Sequence, residues 1–155
     1  MKHSILFICL GNICRSCAAQ TVMQHLIDEA GLTDQFYIDS AGLIDYHEGE
    51  LADPRMRSHA ARRGYRITHR SRPIQPEDFN RFDLIIGMDG QNINRLRRIA
   101  PTTEAVHKLR FMSDYCRQHQ ADCVPDPYYG GDSSFEHVLD LLEDACAGLI
   151  EELRQ

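Results

Sequence analysis

Apolar residues along this chain of 155 residues fall into short unbroken runs and longer interrupted stripes. The run Ile5 to Leu10 is apolar throughout, which predicts a strand buried on both faces. Ala18, Ala19, Val22, Met23, Leu26, Ile27 and Ala30 then recur three and four apart, which predicts an amphipathic helix stopped by Gly31. "QFYIDSAG" predicts a short strand around Phe36 to Ile38, and Pro54 opens a helix through "RMRSHAARRG" that Gly64 closes. "DLIIGMD" is a second buried strand, "GQNINRLRRIA" a helix ended before Pro101, and "VHKLRFM" a weaker strand. A loop carries "VPDPYYGGDSS". The last helix covers about Phe135 to Arg154, with Val138, Leu141, Leu142, Ala145, Leu149 and Ile150 on one face.

Strand and helix signals thus alternate. The pattern predicts parallel pairing through right-handed crossovers: an α/β three-layer sandwich, a central parallel sheet of about four strands, helices on both faces. No repeat, low-complexity tract or linker divides the chain, so one domain over residues 1–155 is expected. In open sheets of this kind, ligands bind beyond the carboxyl ends of the strands. That rule singles out the loop after Leu10 and the segments after Ile38 and Met88.

Composition narrows the classes. Apolar residues make up 43% and charged residues 26%, a globular mix that argues against disorder. The net charge of −6 argues against a nucleic-acid backbone as partner. Of the 17 cations only Lys2 and Lys108 are lysines, and arginine suits bidentate capture of anions. Most of these arginines, however, lie on helix-like stretches whose plain role is a solvated face. The first apolar run ends after six residues and Arg15 follows, so neither a signal peptide nor a membrane span is expected. The six cysteines are therefore read as reduced thiols of a cytoplasmic protein.

The chemistry concentrates in "CLGNICRS". Cys9 and Arg15 form Cys-x5-Arg with Ser16 next, a pattern expected by chance in a chain of this composition roughly 0.03 times. A loop of this length between strand and helix can turn successive backbone N–H groups inward as an anion nest, to which the helix adds its positive end. Arg15 can clamp two oxygens of a tetrahedral oxyanion. Gly11 lets the backbone approach closely, and Asn12 tolerates a left-handed conformation. Cys9 lies at the floor. Such settings hold a cysteine pKa at roughly 3.5–7.5 instead of about 8.5, giving a thiolate aimed in line at a bound phosphate. Ser16 is placed to donate a hydrogen bond to that sulfur. Cys14 has two readings, a filler of the loop or the partner of Cys9 in a reversible disulfide.

"CLGNICRS" resembles the phosphate-binding loop of the low-molecular-weight protein tyrosine phosphatases. Length, element order, "IDSAG", "DPR", "FDLIIGMD" and "DPYYGG" extend the resemblance over nearly the whole chain. It implies a flavodoxin-like, phosphotyrosine phosphatase I-like fold and hydrolysis of phosphotyrosine in proteins, or of small aryl phosphates, through a phosphocysteine. It implies no metal or organic cofactor, no nucleic acid and no membrane partner, with phosphate and other oxyanions as inhibitors. Carried over residue by residue, Cys9 is the nucleophile, Arg15 the transition-state clamp and Asp126 the general acid, then base. Leu10, Gly11, Asn12, Ile13, Cys14, Arg15 and Ser16 surround the phosphate. Tyr46, Tyr128 and Tyr129 wall the slot for the ring. Asn12, Ser16, Ser40 and His69 hold the loop from behind. Pro127 stiffens Asp126 in an extended conformation, which independently suits a positioned acid.

Two positions depart from the family pattern: Cys17 stands where proline is usual, and Gln20 where an acidic residue is usual. Cys116, His119 and Cys123 have loosely metal-like spacing without a fourth ligand, so a zinc site is not expected. Asp45, Glu48, Glu50 and Asp53 form an acidic stretch read first as a solvated loop, and second as a rim favouring substrates with basic neighbours. Two other functions compete. A thiol-dependent arsenate reductase on the same fold needs resolving cysteines, which the region from Asp83 to Asn94 lacks. A non-catalytic phosphate-binding module has no use for Asp126.

Overall fold

The structure, a computed structural model, describes residues 2–154. Its frame is a four-stranded sheet of β1 (His3–Cys9), β2 (Phe36–Gly42), β3 (Leu84–Gly87) and β4 (Leu109–Phe111). The strands run in the order β2-β1-β3-β4, and every pairing is parallel. Between them lie α1 (Arg15–Glu29), α2 (Pro54–Ala61), α3 (Asp78–Arg81), α4 (Gly90–Ile99) and α5 (Thr103–Val106), and α6 (Asp132–Leu153) follows.

Successive side chains of a strand point to opposite faces, and β1 shows how the sheet divides the core. Ile5, Phe7 and Cys9 join one cluster, with α1 and α6 residues such as Val22, Met23, Val138 and Leu142. Leu6 and Ile8 join the other, with Phe79, Phe82, Ile93 and Leu96. Both clusters exclude water from β1, which is why its sequence is apolar without alternation. The strand order reverses direction at β1, so the carboxyl ends of β1 and β3 border the switch point where such sheets bind ligands.

The differences from the sequence pattern have local causes. β2 runs on to Gly42 beyond the apolar Phe36 to Ile38, because Asp39 and Ser40 find polar partners that the apolar pattern does not reveal. α1 begins at Arg15, three residues ahead of Ala18, where the apolar stripe in the sequence starts. β4 is shorter than "VHKLRFM". Thr102 caps the preceding residues as α5 by accepting the Ala105 N–H at 3.0 Å, which removes Val106 and His107 from the strand. α6 starts at Asp132, so "DSS" is helical and not loop. α2 ends at Ala61, and the chain turns away at Gly64 with φ +86°. No helix among the described residues is long and apolar enough to cross a membrane.

Candidate active site

The chain leaves the sheet at Cys9 and enters α1 at Arg15, and the five residues between them curl over the carboxyl end of β1. Their carbonyls are tied outward. Leu10 O accepts from Leu43 and Ile44 N–H, Gly11 O from the Ser71 hydroxyl, and Ile13 O from the Asp53 N–H. Among the described residues, the N–H groups of Leu10 through Cys14 donate to no protein acceptor. α1 has neither a capping side chain nor an acidic residue in its first turn. The loop therefore presents unspent donors and a positive helix end to one point.

Cys9 Sγ lies at that point. It is 3.0 Å from Ser16 Oγ and accepts the Ser16 N–H at 3.4 Å. Asn12 organises the loop from behind. Its φ of +58° makes it the one described non-glycine residue in the left-handed region. Its Oδ1 accepts from the Arg72 N–H at 3.1 Å and faces His69 Nε2 at 3.0 Å. Its Nδ2 donates to Ser16 Oγ at 2.7 Å and Ser40 Oγ at 3.1 Å. All four capacities of the amide are used, which sets its orientation. His69 Nε2 must carry the proton, since Oδ1 only accepts. Burial pulls the His69 pKa down, against the opposing pull of Asp39. The Ser16 hydroxyl, already accepting from Asn12, is free to donate to the Cys9 sulfur.

Arg15 is buried and joins three segments. Nη1 donates to Asp89 Oδ2 at 2.7 Å and to Val124 O at 3.1 Å, and Nη2 lies 3.7 Å from Asp126 Oδ2. Burial disfavours its charge, but Cys9, Asp89 and Asp126 more than offset that and raise its pKa. Asp126 also accepts the Tyr128 N–H at 3.1 Å, a local turn that pins the carboxylate. Arg55 ties this loop to α2: it donates to Tyr128 O at 2.8 Å and ion-pairs with Asp53 at 3.0 Å.

Together these segments enclose a pocket of about 240 Å³ lined by Cys9, Leu10, Gly11, Ile13, Cys14, Arg15, Tyr46, Asp126, Tyr128 and Tyr129. Tyr46 and Tyr129 stand at its rim, 81% and 95% exposed, while Tyr128 is partly covered. Asn12 and Ser16 are buried and act on the loop, so their side chains lie outside the pocket lining, as do Ser40 and His69. Sequence reasoning did not find Ile44 and His47 in the lining, nor Asp89 and Arg72 behind it. Asp89 carries one signal, since it N-caps α4 directly after β3. Arg72 carries none.

Low molecular weight phosphotyrosine protein phosphatase is the description of the family model that matches residues 4–155. The chain belongs to this family. It is 40% identical to a low molecular weight protein-tyrosine-phosphatase of Streptomyces coelicolor, over 100% of this chain and 96% of that one. It is 37% identical to the low molecular weight phosphotyrosine protein phosphatase of Sus scrofa, over 99% and 98%. A crystal structure of a protein tyrosine phosphatase from Entamoeba histolytica, with Hepes in its active site, matches with a TM-score of 0.95 at 45% identity, covering 99% and 97%.

The positions that depart from the family pattern have clear surroundings. Gln20 Oε1 accepts from the Ser40 hydroxyl at 2.5 Å, so an acceptor is kept without a charge. Cys17 is fully buried, its Sγ 3.6 Å from Cys14 O, and burial raises its pKa well above the usual thiol range. Asp53 does not belong to a solvated acidic loop. It is buried, caps α2 by accepting the Arg55 N–H at 2.8 Å, and its pKa is lowered, because its bonds to Arg55 outweigh burial. Asp45, Glu48 and Glu50 are exposed. Among the described residues no three His, Cys, Asp or Glu side chains group as a metal site requires.

Proposed function

We propose that this chain hydrolyses phosphotyrosine in proteins, and other aryl phosphates, through a phosphocysteine. The observation that carries the reading is the loop from Leu10 to Cys14, its carbonyls tied outward and its N–H groups left free around Cys9 Sγ. A phosphate dianion held by those donors and Arg15 offers phosphorus to the sulfur. The S–P bond forms as the P–O bond to the aryl group breaks, and Asp126 gives its proton to the departing oxygen. In the second step the Asp126 carboxylate takes a proton from water, the water oxygen bonds to phosphorus, and the thiolate leaves. The Ser16 hydroxyl, poised by Asn12, stabilises that leaving sulfur. Arg15 and the backbone donors match the charge of the equatorial oxygens in both transition states. The three tyrosines offer flat faces to the substrate ring.

Cys9→Ser should lose turnover of p-nitrophenyl phosphate by several orders of magnitude while still binding inorganic phosphate. Asp126→Ala should slow turnover most for substrates with poor leaving groups. Retained turnover in Cys9→Ser, or arsenate reduction outpacing hydrolysis in the native protein, would overturn the reading. Phosphate should inhibit competitively, and the thiols fit a reducing, cytoplasmic setting. Cys14 lines the pocket beside Cys9, and burial, with Asp53 and Cys9 nearby, raises its pKa. Peroxide would therefore oxidise Cys9 first, to a sulfenic acid. The Cys14 thiol would then condense with it, forming the disulfide and releasing water. Peptide mapping by mass spectrometry after mild peroxide tests for that bridge.

A further inference from the structure

A second cleft, of about 380 Å³, opens on the α4 side of the catalytic pocket and shares Leu10, Arg15 and Asp126 with it. Its outer wall is one face of α4, formed by Gln91, Asn94, Arg95 and Arg98, spaced at i, i+3, i+4 and i+7. α4 contains no acidic residue. Among the described residues, neither Arg95 nor Arg98 has a carboxylate oxygen within 4.0 Å, whereas Arg15, Arg55, Arg63 and Arg72 all do. The two carboxylates in the cleft face Arg15, which binds Asp89 at 2.7 Å and lies 3.7 Å from Asp126. Arg95 and Arg98 are left as exposed, uncompensated cations beside the reacting centre. The helix dipole accounts for cations in the last turn, Arg97 and Arg98. It does not account for Arg95, or for a wholly polar and basic face turned to the cleft. Tyr46 and His47 line the catalytic pocket but not this cleft, and their sequence neighbours Asp45, Glu48 and Glu50 are exposed acids. The exposed cations Arg95 and Arg98 thus line the cleft on the α4 side, and the exposed acids lie beside residues of the pocket outside that cleft, in a protein whose net charge is −6.

We propose that this cleft is a substrate subsite in which Arg95 and Arg98 receive an acidic side chain flanking the phosphotyrosine. The proposal rests on the phosphatase reading above. A tyrosine side chain reaching down to Cys9 leaves its neighbouring residues at the rim. A carboxylate there meets guanidinium donors on the α4 side and repulsion beside Tyr46 and His47. The subsite thus both selects the peptide and sets its direction across the mouth.

The test compares phosphotyrosine peptides with Glu, Gln or Lys on either side of the tyrosine, alongside p-nitrophenyl phosphate, which is too short to reach α4. For the native enzyme at low salt, kcat/KM should be roughly five- to tenfold higher with Glu than with Lys on one side of the tyrosine. The difference should lie in KM, because the contact is made equally in ground and transition states. It should shrink with added salt. Arg95→Gln/Arg98→Gln should level the preference, and Arg95→Glu/Arg98→Glu should invert it. Either variant keeping the native preference, or losing rate equally on all three peptides, overturns the subsite. Native enzyme that turns over p-nitrophenyl phosphate and the Gln peptide without favouring Glu overturns the subsite alone. No turnover of either overturns the phosphatase reading and the subsite with it.

Discussion

Asn12 shows how one side chain can hold a catalytic loop. Its amide joins His69, Arg72, Ser16 and Ser40, while its own backbone occupies the left-handed region. Asn12→Ala should cost about 2–4 kcal/mol, from the left-handed backbone and the buried partners left unsatisfied. Asn12→Gly relieves the backbone cost and keeps the hydrogen-bond loss. Its thermal unfolding midpoint should therefore lie between those of Asn12→Ala and the native protein, with kcat lowered in both variants because Ser16 loses its orientation. Equal midpoints for Gly and Ala would show that the backbone contributes nothing.

At the scale of elements, the segments around the sheet are tied by polar side chains as much as by apolar packing. Asp144 of α6 accepts the N–H groups of Arg117, Gln118 and His119 at 2.8–3.1 Å and lies 3.1 Å from His119 Nδ1. Burial pushes its pKa up, but these donors outweigh it and hold it at about 2. A carboxylate with a lowered native pKa stabilises the fold above its unfolded pKa of about 3.9, and that contribution is lost as the pH falls towards the native value. At neutral pH it is worth about 2 kcal/mol. Asp144→Asn should lower stability by a similar amount near neutrality and by much less near pH ~2. Urea unfolding across that range gives the comparison. The same logic places Arg55, whose bonds to Asp53 and Tyr128 O couple the start of α2 to the loop that carries Asp126.

For the whole molecule, the site exists only in the folded chain, so an anion that fills it must stabilise the fold. Phosphate at a hundred times its Kd should add about 2.7 kcal/mol. For a chain of this size that is a rise of roughly 5–10 °C in the unfolding midpoint. Cys9→Ser should keep the rise and Arg15→Ala should lose most of it. A rise of equal size in Arg15→Ala would place the phosphate elsewhere.

The long elements were legible because burial on one face or two leaves a periodic mark, as in Ile5 to Leu10 and in α6. The loop from Cys9 to Ser16 was legible because residues adjacent in sequence do adjacent work. Asp89 and Arg72 were not, since they act on the loop from 74 and 60 residues away. Nor was the full length of β2, whose Ser40 and Asp39 are satisfied by Gln20 and Arg72, 20 and 33 residues away, nor α3 and α5, which at four residues each are too short for an apolar period to show. By itself the sequence determined the strand, the curled loop and the helix, because backbone geometry and solvent exclusion act locally. Only tertiary structure decided that Asp126 stands opposite Arg15 and that a basic face of α4 borders the site. Ion pairs and clefts depend on separation in space, which the order of residues along the chain does not carry.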